Sequence, residues 1–267
     1  KFLLKEKQED TFYTFNSKIA VNGGRKNALK ILSSIKNHKN YKIDRDYLHK
    51  NTTFLSAYIK FGCVSIREVY HKFKEEFGAN TPLIHQLLWR DFYYHLGYGY
   101  LDRFGKSFKP KYDNIKWINN KKEFERWKKG NTGFPIVDAC MKQLNETGYM
   151  HNRGRMIVAS FLIKNLQIDW KWGEKYFAQS LVDYDVLVNQ GNWQWVSGSG
   201  ADSQQYIRIF NPWTQSFKFD KEGLYQQKWL KDSRKNVKEF HDEKYHETMI
   251  NYKKSRDVTL KLYKKYL

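Results

Sequence analysis

Apolar positions recur at helical spacing in one segment after another. After Gly23-Gly24, residues Ala28, Leu29, Leu32 and Ile35 fall on one helical face. The run Leu55 to Phe61 ends at Gly62, a natural C′ residue. Ser65 opens the next helix, with Ile66, Val69, Tyr70 and Phe73 apolar and Glu68 completing a capping box. Thr81-Pro82 starts another, carrying Leu83, Leu87, Leu88, Trp89, Phe92 and Leu96. Helical periods also span Pro135 to Leu144 and Arg155 to Leu166. Residues 38–52 are polar and irregular. From 173 to 220 the turn residues cluster: Asp183-Tyr184-Asp185, Gly191-Asn192, Gly198-Ser199-Gly200 and Asn211-Pro212, which predicts a loop-rich stretch. Residues 238–267 read as one or two charged amphipathic helices. No alternating run of strand length stands out. The pattern predicts an all-α chain: a lead-in or linker remnant over 1–22 and one helical domain over 23–267.

Composition narrows the functional classes. The 267 residues include only two cysteines, Cys63 and Cys140, which excludes a disulfide framework and a Cys-rich zinc site. The eight histidines lack metal-ligand spacing, so no metal is expected. No apolar run reaches the ~18 residues of a membrane span, and no signal sequence follows Lys1. A non-membrane, intracellular protein of cytoplasm or nucleus is expected, monomeric, and the sequence reads as a domain of something longer. The formal net charge is +20, with lysine far outnumbering arginine. Such a charge predicts a polyanion partner, nucleic acid first, although drift toward Lys, Asn, Ile and Tyr also produces it. Nine tryptophans exceed what core packing ordinarily needs, and so point to stacking or redox work.

Dinucleotide, Walker and nucleophile-elbow motifs are all missing. Thr52-Thr53-Phe54-Leu55-Ser56 places hydroxyls before a helix, which suits a diphosphate cradle or a plain N-cap. Asp183 and Asp185 flank Tyr184 and read as a pair for acid/base work or cofactor contacts, or equally as caps on a solvated loop. His151 to Met156 puts polar groups at the head of an apolar helix, with Arg155 and Asn152 on one face. Trp193 and Trp195 lie two apart and must point differently: one to the core, the other to a surface where bases could stack.

Taken together, these segments resemble the photolyase/cryptochrome family. The match runs in order through Gly23-Gly24, Tyr41, Arg45-Asp46, Thr52–Ser56 and Leu87–Phe92, then Gly130–Pro135, Asp138 and His151–Met156. It continues through Ile168–Trp170, Asp183–Asp185, Asn189–Trp195, Arg208–Pro212, Lys218–Asp220 and Gly223. The resemblance implies an all-helical domain binding FAD in a folded conformation, without the α/β antenna domain that usually precedes it. It implies light-driven repair of pyrimidine dimers in DNA, with an electron lent by excited reduced flavin and returned, as in class I cyclobutane-dimer enzymes. A separately encoded antenna domain is a further expected partner.

Residue by residue, the resemblance implies that Tyr41, Thr52, Thr53, Leu55 and Ser56 contact the FAD phosphates and ribose. Asp183, paired with Arg155, and Asp185 would lie beside the flavin ring, and Asn189 would face flavin N5. Asn there favours a photolyase over plant and insect cryptochromes. Trp193, Trp170 and Trp117 match the chain that carries electrons to photo-oxidised flavin. On the DNA side, Arg45, Gln86, Trp89, Arg90, Asn152, Met156, Trp195, Arg208 and Gln215 match lesion and phosphate contacts, with Trp89 and Trp195 walling a pocket for a flipped dimer. Four departures stand out. Gln86 replaces a common Glu, a change familiar from (6-4) photolyases and animal cryptochromes. Asn152 and Met156 stand where (6-4) enzymes need two histidines. Tyr149 replaces a usual Trp, and Phe54 an Arg of the phosphate loop. The rival expectations are a cryptochrome-like FAD light sensor and a DNA-binding domain without catalysis.

Overall fold

The computed structural model describes residues 16–201, 207–231, 240 and 247–266. Among these residues there are only helices and turns, as the apolar periodicity predicts. The helices are α1 (Arg25–Ser33), α2 (Tyr41–Asp44), α3 (Leu55–Lys60), α4 (Ile66–Phe77), α5 (Pro82–Gly99), α6 (Lys121–Lys129) and α7 (Pro135–Thr147). They continue as α8 (Asn152–Ser160), α9 (Trp170–Ser180), α10 (Val186–Ser197), α11 (Pro212–Phe219), α12 (Leu224–Leu230) and α13 (Tyr252–Lys264).

The start signals work locally. The Ser65 hydroxyl accepts from the Glu68 amide while the Glu68 carboxylate accepts from the Ser65 amide, closing the capping box of α4. Thr81 caps α5, with Pro82 at its first position. The segment before α7 is fixed by Asp138. Its carboxylate accepts from the Thr132 amide and hydroxyl, each at 2.7 Å, and from the Gly133 amide at 3.1 Å. Gly133 there has φ 83°, and a Cβ would stand 2.5 Å from the Glu247 carbonyl oxygen, so only glycine fits. Of the stretch 16–22, the Ala20 amide bonds Thr147 and the Asn22 carbonyl accepts from the Tyr58 hydroxyl, so these residues dock on the helices; residues 1–15 lie outside the described part.

The loop-rich expectation for 173–220 is wrong. That stretch holds most of α9 and all of α10 and α11. Its turn residues are helix boundaries instead. Asp185 caps α10 by accepting from the Val188 amide, Gly198 ends α10 in the left-handed conformation, and Asn211 caps α11. Helices α6 and α12 were not legible as separate elements, because α6 is short and dominated by Lys, Glu and Arg and α12 has only 7 residues. The expected amphipathic helix near the C-terminus is α13; 232–239, 241–246 and 267 lie outside the described residues.

A small apolar cluster of Tyr112, Ile115 and Tyr263 seats α13, and two large ones hold the rest. The larger gathers Trp127, Phe134, Met141, Phe161, Phe177 and Trp193 from α6 to α10, the smaller Leu32, Leu55, Tyr58, Phe73, Leu83 and Leu87 from α1 to α5. Each fully buried large apolar side chain adds roughly 1.5–3 kcal/mol. Helix α10 packs on both α5 and α9 and thereby joins the two clusters. After α8 the chain makes one π turn over Phe161–Asn165, which brings Lys164 fully inside. Its ammonium donates to the Ser197 carbonyl at 2.6 Å and sits 3.5 Å over the Tyr263 ring, tying the ends of α10 and α13 together. Burial holds the Lys164 ammonium pKa well below its ordinary value.

Candidate functional site

Between the two apolar clusters lies a cavity of about 510 Å³, within the usual range for cofactor and ligand sites. Leu55, Phe73, Leu83 and Leu87 wall it from the smaller cluster, Ala159, Phe177, Leu181 and Trp193 from the larger. Its polar lining divides into two groups.

The first comes from α3, α8 and the turn before α10. Asp183 is almost fully buried, and Arg155 donates to both its oxygens, at 3.0 and 2.9 Å. Ser56 donates its hydroxyl to the same carboxylate at 2.7 Å. Burial works against the Arg155 charge, but Asp183 and the Tyr149 phenol outweigh it, so the guanidinium pKa rises. Asp185 accepts from the Tyr94 hydroxyl at 2.5 Å and faces the Lys60 ammonium at 3.7 Å. The three hydroxyls at 52–56 are not N-caps. The N-cap position of α3 is Phe54, at φ 54°, and receives no side-chain bond. Thr52 instead shares a hydrogen bond with the Tyr149 hydroxyl at 3.1 Å, and Thr53 accepts from the Leu55 amide at 3.4 Å. Asn189 lines the cavity with its amide nitrogen donating to Glu174 Oε1 at 3.1 Å. The Tyr184 hydroxyl donates to that same oxygen at 3.2 Å. With its donor so committed, Asn189 has its carbonyl oxygen left for a ligand.

The second group comes from α5, the head of α8 and α10: Gln86, Trp89, Arg90, Asn152, Met156 and Trp195, with Arg45 beside them. Gln86 donates its side-chain amide to the Pro82 carbonyl of its own helix at 3.2 Å. What remains for a ligand is the carbonyl oxygen, an acceptor, and the second amide N–H. Trp89 is 49% exposed, too exposed for a core tryptophan. Trp193 and Trp195 divide as their spacing predicts: Trp193 is buried at 3% and Trp195 only half-buried.

Four of the expected residues lie outside this lining. Trp170 is buried at the start of α9, and Trp117 packs on the same core with its ring edge-on to Tyr263 at 6.3 Å. Arg208 is exposed and lies over the Phe210 ring at 5.0 Å. Gln215 is half-buried on α11. Three contributors escaped sequence reasoning. Lys60 stands four residues after Ser56 on one helical face, and Tyr94 four after Arg90, so i,i+4 spacing was a usable signal for both. Glu174 carried none, since its link to Asn189 spans two helices.

Four basic side chains against two carboxylates line the space. The hydroxyls and cations of the first group suit a phosphate-bearing ligand, and the apolar walls suit a flat ring system. These residues fit a folded flavin dinucleotide.

The family described as the FAD binding domain of DNA photolyase matches residues 83–267. The chain belongs to this photolyase family. Its similarity to curated members is high. The deoxyribodipyrimidine photo-lyase of Buchnera aphidicola from Acyrthosiphon pisum is 42% identical over 266 residues, covering 90% of this chain and 55% of that protein. The Escherichia coli enzyme of the same name is 43% identical over 203 residues, covering 73% and 43%. The chain thus spans about half the length of the curated relatives it matches. Among solved structures, an archaeal photolyase from Sulfolobus tokodaii with two FAD molecules superposes with a TM-score of 0.82 at 40% identity, over 92% of this chain and 57% of that one. A Synechocystis cryptochrome gives 0.86 at 32% identity, over 95% and 59%. The photolyase-family domain is accordingly an FAD-binding one. Among its described residues no helix is long and apolar enough to cross a membrane.

His151 lends the head of α8 a pH dependence. Its Nδ1 accepts from the Arg153 amide at 3.1 Å, which puts the proton of the neutral ring on Nε2, a buried atom without a partner among the described residues. Burial, then Arg153 and Arg155, push its pKa down to about 4. The unfolded chain therefore binds this proton first. Stability is full above about pH 6.5 and falls as pH drops from there to 4, by about 3 kcal/mol in total. Urea melts across that range should show this loss, and His151→Asn, which keeps a capping acceptor, should remove it.

Proposed function

We propose that the domain repairs cyclobutane pyrimidine dimers in DNA, as class I photolyases do, with FAD in the cavity and the lesion against it. One observation carries the reading. The Arg155–Asp183–Ser56 group and the Gln86–Trp89–Asn152–Met156–Trp195 group line a single cavity, so that a flavin on one side and an extruded dimer on the other would touch.

When bound, the flavin supplies a light-excited electron that opens the cyclobutane ring and then returns. The protein residues bind, orient and exclude water. Thr52 and Thr53 offer hydroxyls to the diphosphate and ribose, alongside Tyr41 and Leu55, while Ser56, its proton given to Asp183, offers only lone pairs to a ribose hydroxyl. Arg155 keeps positive charge beside an anionic reduced ring, while Asp183 and Ser56 hold that guanidinium in place. Asp185 is held by Tyr94 and Lys60 on the same side. Asn189, its nitrogen committed to Glu174, would offer its side-chain oxygen to flavin N5. A dimer stacks poorly in the duplex, which lowers the cost of flipping it out between Trp89 and Trp195. Arg45 and Arg90 would hold the strand beside the cavity, with Arg208 and Gln215 extending the contact outside it.

Gln86 presents the lesion with an acceptor, as a carboxylate would, but without charge. Gln86→Glu should therefore improve repair only modestly. A charge-assisted bond to the thymine edge is about twice as strong as a neutral one, and burying the carboxylate offsets part of that gain. The quantum yield of dimer splitting, measured with chemically reduced flavin, checks this.

Lesion binding tests the reading itself. Titrated at several salt concentrations, the protein should bind ultraviolet-treated DNA more tightly than intact DNA. The log–log salt slope should approach about −0.9 per phosphate contact. Equal affinity for both would leave only a polycation. The similarity to a cryptochrome favours a light sensor as the second reading, and a sensor would hold flavin without this preference for damaged DNA.

A further inference from the structure

Lys60 is the last residue of α3 and lines the cavity, with 31% of its side chain exposed. A lysine at a helix C-terminus ordinarily reaches into water and gains from the dipole there. This one turns inward instead. Its one ion pair among the described residues is with Asp185, at 3.7 Å, which is too long for a hydrogen bond. An ammonium has three N–H donors, and among the described residues none of them meets an acceptor.

The neighbours of Asp185 explain why. Tyr94 donates to its Oδ2 at 2.5 Å and the Val188 amide to its Oδ1 at 3.3 Å, so the carboxylate is satisfied without Lys60. Burial first, then Asp185, push the Tyr94 phenol pKa up, so the hydroxyl keeps its proton and remains the donor. Arg90 lies 4.1 Å over the Tyr94 ring and holds it in place. Arg155 is the opposite case, with Nε given to the Met150 carbonyl and Nη2 to both oxygens of Asp183. On the flavin side two cations, Arg155 and Lys60, thus face two carboxylates, and Glu174 behind Asn189 adds a third. Without Lys60 that side would repel an anion.

We propose that Lys60 is a binding residue for the negative charge of reduced flavin, and that Tyr94, by occupying Asp185, is the positioning residue that keeps its ammonium free. The inference rests on the reading that flavin occupies the cavity with its ring beside Asp183 and Asp185. An oxidised flavin ring is neutral. On taking two electrons from a reductant and one proton from water it carries a negative charge near neutral pH. Lys60 therefore binds the reduced ring more tightly than the oxidised one, and linkage makes the bound ring easier to reduce. The diphosphate is the other negative group of the ligand, but it is charged in both oxidation states, and a lysine on it would shift no potential. The threonine hydroxyls proposed for it stand at the opposite end of α3 from Lys60.

The test is a dye-coupled redox titration of the FAD-loaded chain in the dark, beside a binding titration with oxidised FAD. Lys60→Met should lose at least about tenfold of the preference for reduced over oxidised FAD, which lowers the two-electron midpoint by about 30 mV. Lys60→Arg should keep the wild-type midpoint. Asp185→Asn, which still offers an oxygen to Tyr94 and to the Val188 amide, should raise the midpoint, and Lys60→Met/Asp185→Asn should return it close to the wild type. Tyr94→Phe should lower it with Lys60 still present, because Asp185 then takes the ammonium for itself. Lys60 is partly exposed at a helix end, so its variants keep the fold, which urea melts verify. A midpoint in Lys60→Met equivalent to less than about a twofold change would overturn the proposal. So would an equal loss of affinity for oxidised and reduced FAD, which puts the ammonium on the diphosphate; either result leaves the flavin reading standing. If the wild-type chain binds no FAD in the titration, the flavin reading falls and takes the proposal with it.

Discussion

Arg155→Met is expected to lower the unfolding free energy by about 3–5 kcal/mol, the usual cost of leaving one member of a buried ion pair without the other. Asp183 has 5% of its side chain exposed and accepts two bonds from Arg155. Met fills much of the volume but leaves the carboxylate with Ser56 alone. It also removes the bond from Arg155 Nε to the Met150 carbonyl at 2.9 Å. Arg155→Met/Asp183→Leu should recover most of the lost stability, because the buried charge goes with its partner. Neither variant should retain FAD through gel filtration, since both lack the cation beside the ring. Urea melts and the 450-nm band of the eluted protein measure the two effects separately. A single variant within about 1 kcal/mol of the wild type, on the scale of an exposed pair, would show that this pair is not the keystone of the site.

Trp193→Phe is expected to slow photoreduction of oxidised flavin by orders of magnitude while FAD stays bound. The indole is seated by its neighbours: Phe177 at 5.0 Å, Trp127 at 6.5 Å, and Gly173, where a Cβ would stand 2.2 Å from the indole Cη2. Phe keeps the apolar contact with Phe177 and so most of the wall. It does not keep the low oxidation potential of indole, on which the proposed electron relay out of the cavity depends. Stopped illumination with absorbance detection reads the rate, and the flavin band before illumination reads occupancy. Undiminished photoreduction would mean that electrons enter elsewhere.

Helices α3, α4 and α5 were legible because their ends are announced: Gly62 at the close of α3, Ser65 with Glu68, and Thr81 with Pro82. In the second half the same kinds of residue misled. Asp185, Gly198 and Asn211 read as loop and serve as caps, since a cap and a turn use the same chemistry and only the packed neighbours separate them. Much of the cavity lining followed from the family pattern at 41–56, 86–90, 152–156 and 183–195. What pattern could not supply was contact across elements. Glu174 reaches Asn189 from another helix, Lys60 reaches Asp185 from α3, and Trp127 reaches Trp193 through the core although α6 packs chiefly on α7.

The most direct measurement supplies the FAD-loaded, chemically reduced protein with oligonucleotides carrying a single cyclobutane dimer or a single (6-4) product, under blue light and in the dark. The account predicts intact pyrimidines from the cyclobutane dimer in the light and none in the dark. It predicts no repair of the (6-4) product, because Asn152 and Met156 offer no histidine to move a proton. Repair in the dark, or of the (6-4) product alone, would contradict it.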